Sequence, residues 1–187
     1  GAWTNSISSG SLANDIASCW QALELPKEPL DAFLESTKPY IGRDPESLLH
    51  ELRVEETRLF IGDGPLVENT EGTWLQARAG IAKPIRMINN HTASVTEFMK
   101  SCGVVRQPKY NDCIDYVENE CDFAGYLASE PEALAELGLE AADKLDEFAS
   151  EHMKRWLPGF CDDVRSATDV AYYRGICTLL KAFLEEF

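Results

Sequence analysis

Hydrophobic positions recur along the chain every three or four residues, which is the spacing of one face of an α-helix. The sequence has no long run in which hydrophobic and polar residues alternate, as they do along a half-buried strand. The pattern therefore predicts an all-α protein, a single-domain bundle of about eight or nine helices over residues 1–187. The polar residues 1–10 are expected to be disordered or artificially added.

The clearest helix start lies in the segment RDPESLLHELRVEETRLF, residues 43–60. Asp44 is a good capping residue, and Pro45 suits the first helical turn. The predicted stripe of this helix runs through Leu49, Leu52, Glu56, Leu59 and Phe60. Glu56 is unexpected, because the period places a carboxylate where an apolar residue belongs.

Further helices are predicted from residue 85 to 102, from 132 to 157 with an interruption at Gly138, and from 170 to 187. Pro158 is expected to kink or end the second of these. The predicted core consists of residues on the apolar stripes of their helices: Leu49, Leu52, Leu59, Val117, Cys121, Leu145, Phe148, Leu180 and Leu184.

The helix over residues 43–60 is followed by the glycine turn IGDGP, residues 61–65. No Gly-Lys-Ser/Thr follows, and the turn comes after a helix instead of a strand, so neither common phosphate-binding loop fits. The simplest interpretation is a helix end with a tight turn. The alternative is a turn that lets the polar segment after it, with Glu71 and Trp74, form the wall of a binding site.

Composition narrows the possible partners. The chain carries 32 acidic and 17 basic residues, a net charge of −15, which disfavours binding to nucleic acid or anionic lipid.

No apolar run approaches the roughly 18 residues that a membrane span requires, and no signal peptide is recognisable. The six cysteines form no C-x-x-C pair, which favours reduced thiols in a cytoplasmic protein.

Residues typical of catalysis or metal binding are not grouped in the sequence. The three histidines, His50, His91 and His152, are far apart, and no nucleophile motif is present. His152 falls on an apolar stripe, where a hydrogen-bonded core histidine is the usual outcome. We therefore expect no enzyme activity, no metal site and no cofactor.

One acidic group has the spacing of a helix face: Asp112, Asp115, Glu118 and Asp122. A solvated outer face explains such a group without any function. A receptor for a cation explains it equally, and a guanidinium fits best because its fork matches two carboxylate oxygens.

Three segments in order resemble the TorD/DmsD/NarJ family of molybdoenzyme maturation chaperones. The first resembling segment contributes Glu55, Leu59, Phe60, Gly62, Gly64, Glu71 and Trp74; the second, DYVENECDF, contributes Asp115, Tyr116, Glu120, Cys121 and Phe123. The third covers the closing helices, with His152, Trp156, Pro158, Phe160 and Tyr173. The chain departs from the family pattern at Glu56, which replaces an aromatic residue, at Tyr116, which replaces a histidine, and at Cys113, which replaces a proline.

The resemblance implies a TorD-like fold and a cytoplasmic chaperone that binds the twin-arginine leader of a molybdopterin oxidoreductase catalytic subunit before export. The implied peptide site combines acidic, apolar and turn residues: Glu56, Leu59, Phe60, Gly62, Glu71, Trp74, Asp115, Tyr116, Glu118 and Asp122. Two alternatives stay open, a helical adaptor or regulatory protein that binds no leader, and a small helical enzyme or metal-binding bundle.

Overall fold

The computed structural model describes residues 2–62, 64–85, 88–107 and 113–187. Within these ranges the structure is helical and contains no β-strand, which confirms the all-α prediction. The α-helices are α1 Ala2–Ser9, α2 Ser11–Ala22, α3 Lys27–Thr37, α4 Pro45–Phe60, α5 Glu71–Arg78, α6 Asn90–Ser101, α7 Val117–Ser129, α8 Pro131–Glu136, α9 Ala141–Phe148, α10 Lys154–Ala167 and α11 Ala171–Glu186. A 3₁₀ turn, Lys38–Tyr40, follows α3.

A π-helical turn, Ala149–Met153, joins α9 to α10 into one continuous helix. With α9 and α10 counted as one helix, the described part of the chain contains ten separate α-helices, slightly more than the eight or nine predicted. One addition is α1, in the segment expected to be disordered. That expectation is wrong for residues 2–9, because Ile7 and Thr4 are buried and hold the helix in place.

By their internal contacts the residues form two compact units. Unit 1 consists of Gly1–Val67 and Pro158–Phe187, and unit 2 of Glu68–Leu157. The single-domain organisation stays a prediction. No helix in the described ranges is both long and apolar enough to cross a membrane.

Helix α4 in unit 1 begins as predicted, since the Asp44 carboxylate accepts a hydrogen bond from the Ser47 amide at 2.8 Å. Its buried face is offset from the predicted stripe and consists of Leu48, Leu52, Glu55 and Leu59. Glu56 is exposed and Leu49 is only partly buried, so both assignments to the apolar stripe are wrong. The buried acid of this helix is Glu55.

Helices α3 and α11 give unit 1 its closest packing. Gly175 of α11 lies against α3, where a β-carbon would come within 1.8 Å of the Ser36 hydroxyl oxygen and 2.6 Å of its Cβ. A core of Trp20, Phe33 and Leu179 fills the adjoining space. A glycine is therefore needed in the middle of α11 because the helices approach too closely for a larger residue.

Unit 2 is built around an aromatic core. Phe148 packs edge-on against Phe123 with ring centroids 4.7 Å apart, and Phe98 packs against both rings. Helix α6, which carries Phe98, begins at Asn90, where the Asn89 side chain accepts hydrogen bonds from two backbone amides. The predicted start at residue 85 is too early, and residues 86 and 87 of the predicted helix lie outside the described residues.

The predicted helix over residues 132–157 is interrupted at the expected glycine. Helix α8 ends at Glu136, and Gly138 adopts a φ of +73°, which favours glycine. Pro158, by contrast, lies inside α10 and does not end it. The proline falls in the second turn after the π-helical segment, so the helix loses one backbone hydrogen bond and continues.

Candidate functional site

The start of α5 is tied to the residues just before α7. The Glu71 amide donates to the Asp115 carbonyl at 2.9 Å, and the Val117 amide donates to the Asn69 carbonyl at 3.1 Å. Thr70 and Tyr116 form an isolated antiparallel bridge between the two segments. These bonds hold Tyr116 in an extended conformation, so α7 begins only at Val117.

Two predictions about this region need correction. Glu71 and Trp74 were expected in a polar loop, but both lie on α5. Asp115 was expected to share a helix face with Glu118 and Asp122, but it precedes α7, and Asp112 lies outside the described residues. The bridge to Thr70 is a tertiary contact, and the local spacing of charges contains no sign of it.

Asp115 serves as an acceptor for groups on α5 and α6. Its Oδ2 atom accepts hydrogen bonds from the Gly72 amide at 2.9 Å and the Thr92 hydroxyl at 3.2 Å. The carboxylate lies at the positive N-terminal end of α5, which favours its charge. Burial nevertheless raises the pKa of Asp115, and the hydrogen bond from Gly72 opposes that rise.

Glu71, the first residue of α5, is completely buried and pairs with His152. The distance between Glu71 Oε2 and His152 Nδ1 is 2.9 Å. His152 comes from the π-helical turn, a distortion that often occurs at functional positions in helices. The expected hydrogen-bonded core histidine is confirmed at this ring nitrogen.

Glu120 on α7 connects two tryptophans to the buried acids. Its Oε2 atom accepts a hydrogen bond from Trp156 Nε1 at 2.8 Å, and the Trp156 ring packs against Trp74 with centroids 6.4 Å apart. Burial raises the pKa of Glu120 well above its ordinary value, and the nearby charge of Glu71 raises it further. Trp74 is itself only half-buried.

We call Glu71, Asp115, Glu120 and His152 the buried polar cluster. Each of the four side chains is at most 2% exposed, and each has one polar atom without a hydrogen-bond partner among the described residues. Buried polar atoms are rarely left unpaired, so four in one region mark it as unusual. Glu120 was not among the predicted site residues, although it precedes Phe123 by three residues and Leu127 by seven, which places it on the buried face of α7.

The other predicted residues of unit 2 lie nearer the surface. Tyr116 is half-buried, and Glu118 and Asp122, one turn apart on α7, are exposed. The Arg78 guanidinium lies over the Trp74 ring, 4.9 Å from its centroid. Among the predicted site residues of this unit, Glu118 and Asp122 are therefore exposed, and Tyr116 and Trp74 are half-buried.

Four predicted site residues belong to unit 1. Leu59 is fully buried, Glu56 is exposed, and half-buried Phe60 stacks on Phe160 at 5.9 Å. Gly62 has a φ of +113° and follows the last residue of α4 by two positions, which confirms the helix end. The Val67 amide then returns to the Leu59 carbonyl at 3.0 Å and closes the turn.

Glu55, one position from the predicted Glu56, has a structural task in unit 1. It accepts two hydrogen bonds from the Arg58 guanidinium, at 2.6 and 2.8 Å, and a third from the Thr168 hydroxyl. Arg58 also donates to the Ala167 carbonyl at 2.7 Å. The acid of the first resembling segment therefore fixes α4 to the connection between α10 and α11.

Among the described residues, no group of three or more histidine, cysteine or acidic side chains is arranged to hold a metal ion. The side chains of the buried polar cluster carry more hydrogen-bond acceptors than donors.

Comparison with known proteins gives one result. A family model described as nitrate reductase delta subunit matches residues 21–162, well over half of the chain. The searches of curated proteins and of solved structures returned no match. The matched family is one of molybdoenzyme maturation chaperones, and the matched range includes α3 to α9 and every predicted site residue. The chain therefore belongs to the nitrate reductase delta subunit family.

Proposed function

We propose that the protein is a cytoplasmic chaperone for the catalytic subunit of a molybdopterin-dependent oxidoreductase. It binds the twin-arginine leader or N-terminal segment of that subunit and holds it during cofactor insertion and assembly, before export. Family membership supports this role, since the family acts with molybdoenzyme catalytic subunits. In this proposal the chain is not an enzyme and contributes a binding surface alone.

The observation that carries the proposal is the contact between Trp74 and Arg78. A guanidinium already lies over this half-buried indole, so the ring is placed to accept a cation on its face. Tryptophan is the best aromatic partner for such contacts, and arginine the commonest cation. An arginine of the leader binds in the same way by taking the place of Arg78.

Exposed acids on α7 complement the leader's charge. Glu118 and Asp122 are both solvent-accessible, whereas Glu71 and Asp115 are buried and keep α5 in position. An exposed ion pair contributes only about 0–1 kcal/mol, so these acids orient the leader and speed its approach more than they hold it. In unit 1, Glu56, Phe60 and Gly62 remain proposed contacts.

The apolar stretch of a leader needs apolar side chains to pack against, and unit 2 carries three exposed isoleucines after α5. Ile81, Ile85 and Ile88 are 47%, 58% and 74% exposed. Ile85 is fixed to α5 because its amide donates to the Gln76 side chain at 3.0 Å. Burial of these side chains against the leader supplies most of the affinity.

The test is a titration of labelled leader peptide against wild type and Trp74→Ala. We expect the variant to bind at least about tenfold more weakly at low and high salt, because both apolar contact and the cation–π partner are lost. Replacing both leader arginines with lysine should also weaken binding. Equal binding of the arginine peptide by wild type and Trp74→Ala would overturn the proposed site.

Arg78 allows a sharper form of the same experiment. Arg78→Gln frees the indole face and removes a repelling charge, so it should strengthen binding of the twin-arginine peptide a few-fold. Lys83→Gln is the matched control, because Lys83 is an exposed cation close by in the sequence and has no described contact with the ring. If Arg78→Gln and Lys83→Gln strengthened peptide binding equally, the change in net charge would explain the effect and the freed indole face would not.

A further inference from the structure

We propose that Glu120 holds a proton at neutral pH and, through Trp156, positions the Trp74 ring for its partner. The peptide-binding part of this inference rests on the proposed function, whereas the part that concerns the proton and the two rings does not. Nothing in the family match assigns a role to Glu120.

The first step is the balance of charge around Glu120. Three carboxyl groups from α5, the segment before α7, and α7 itself lie at most 1% exposed, with His152 as the neighbouring base. Three buried carboxylates facing at most one imidazolium leave an uncompensated negative charge in a low-dielectric region. Such groups keep a proton instead of bearing that charge.

The second step identifies the carboxyl group that is stabilised least as an anion. Asp115 accepts from a backbone amide at a helix N-terminus and from a hydroxyl group, and Glu71 is paired with His152. Glu120 has only the neutral indole N–H of Trp156. The raised pKa of Glu120 agrees with this order.

The third step concerns the other charged groups near α7. On the same helix Glu118 and Asp122 are exposed acids, and burial raises the pKa of the Cys121 thiol to about 12. None of these groups supplies the positive charge that an ionised Glu120 needs. On α9, which packs against α7, Lys144 is bonded to Glu147 at 2.6 Å and lies over the Phe98 ring. Within the described residues no lysine or arginine side chain contacts the three buried carboxyl groups.

The fourth step links the proton to the binding surface. A neutral Glu120 accepts the Trp156 N–H through Oε2 and carries a donor at Oε1. Two other oxygens of the buried polar cluster, Glu71 Oε1 and Asp115 Oδ1, are acceptors without a hydrogen-bond partner among the described residues. Trp156 in turn packs on Trp74. Ionisation removes that donor, adds a third negative charge and loosens the support behind Trp74.

The experiment uses the full chain labelled with 5-fluorotryptophan, whose four tryptophan signals are followed by ¹⁹F NMR between about pH 5 and pH 10. In wild type the Trp156 and Trp74 signals should move together as Glu120 loses its proton. In Glu120→Gln, whose amide resembles the protonated acid, both should stay constant. Glu132→Gln, an exposed change on α8 in the same unit, should behave as wild type.

Leader binding supplies the second readout. Glu120→Gln should keep wild-type affinity at pH 6 within about twofold and lose its decline at alkaline pH. Glu120→Leu, which leaves the indole N–H unpaired, should bind about tenfold more weakly. Absence of leader binding by wild type refutes the proposed function, and the NMR result still decides the role of Glu120. The inference is overturned if the Trp74 and Trp156 signals of wild type do not change with pH. It is also overturned if they change equally in Glu120→Gln.

Discussion

Two buried glutamates in this chain have opposite electrostatic surroundings. Glu55 lies against the Arg58 guanidinium, and this contact, more than burial, sets its charge and lowers its pKa. Glu120 has no such cation among the described residues, and burial raises its pKa. The side chain is the same in both positions, so the neighbouring donors decide which form is stable.

Glu55→Gln should lower the free energy of unfolding by roughly 1–2 kcal/mol at pH 7, a value reduced because Arg58 is 46% exposed. A carboxyl group with a lowered folded pKa stabilises the protein above its ordinary pKa of about 4.3 and loses that effect as the pH falls through its folded value. The difference between variant and wild type should therefore shrink below about pH 4. Urea unfolding at both pH values measures it.

Glu51→Gln is the matched control, because Glu51 lies on the same helix as Glu55 and also binds an arginine, Arg43, but is 41% exposed. We expect its unfolding curve at pH 7 to coincide with that of wild type. If Glu51→Gln and Glu55→Gln destabilised the protein equally, the special position of Glu55 would be refuted.

At the scale of elements, the sequence predicts where helices form more reliably than which face of each helix is buried. Periodicity predicts α4 correctly, but in LLHELRVEE two neighbouring stripes are almost equally apolar, and tertiary packing selects the one that contains Leu48. For the same reason Leu52, Leu59, Phe148 and Leu184 are buried as predicted, whereas Leu49, Val117, Cys121, Leu145 and Leu180 are only partly buried.

The rotation of α4 can be tested with two neighbouring leucines. Leu52→Ala should cost roughly 2–5 kcal/mol, because Leu52 is fully buried and its loss leaves a cavity. Leu49→Ala should cost clearly less, since part of that side chain is already in water. Thermal unfolding of the two variants compares them directly, and a larger loss for Leu49→Ala would contradict the observed face.

The contact between α3 and α11 gives a second test at this scale. Gly175→Ala should destabilise the protein, although alanine is normally the better helix former by about 1 kcal/mol. The added methyl group meets Ser36 Cβ, which cannot rotate away. Gly125→Ala in α7, where nothing lies within 4 Å of the new methyl, should leave stability unchanged or raise it. The melting temperatures of both variants test this expectation, and Ser36→Gly should partly restore the stability of Gly175→Ala.

The exposed and half-buried residues of the proposed site can be named from sequence, whereas the tertiary contacts of the buried residues behind them cannot. Trp74, Glu118 and Asp122 could be named from sequence, since an aromatic ring and exposed acids suit a basic, apolar peptide. The pairing of Glu71 with His152 joins residues 81 positions apart. The bond between Glu120 and Trp156 spans 36 positions, and no local pattern reveals either contact.

At the scale of the whole molecule, a net charge of −15 makes the protein a long-range attractor of cationic segments. Attraction of this kind raises the association rate and falls steeply with salt, whereas apolar contacts persist. A leader with arginines followed by an apolar stretch has the charge for the long-range attraction and the side chains for the apolar contacts. Membership of a molybdoenzyme chaperone family gives that match a biological setting.

The most direct measurement is complex formation between this chain and the cofactor-free catalytic subunit of a molybdopterin oxidoreductase, with and without its N-terminal leader. Light scattering on co-purified samples reports the mass of the complex and the share of the catalytic subunit it contains. We predict a stable complex with the leader present and at least about tenfold less complex after its removal or after Trp74→Ala. Equal complex formation with the leaderless subunit, or none with either form, would contradict the proposed role.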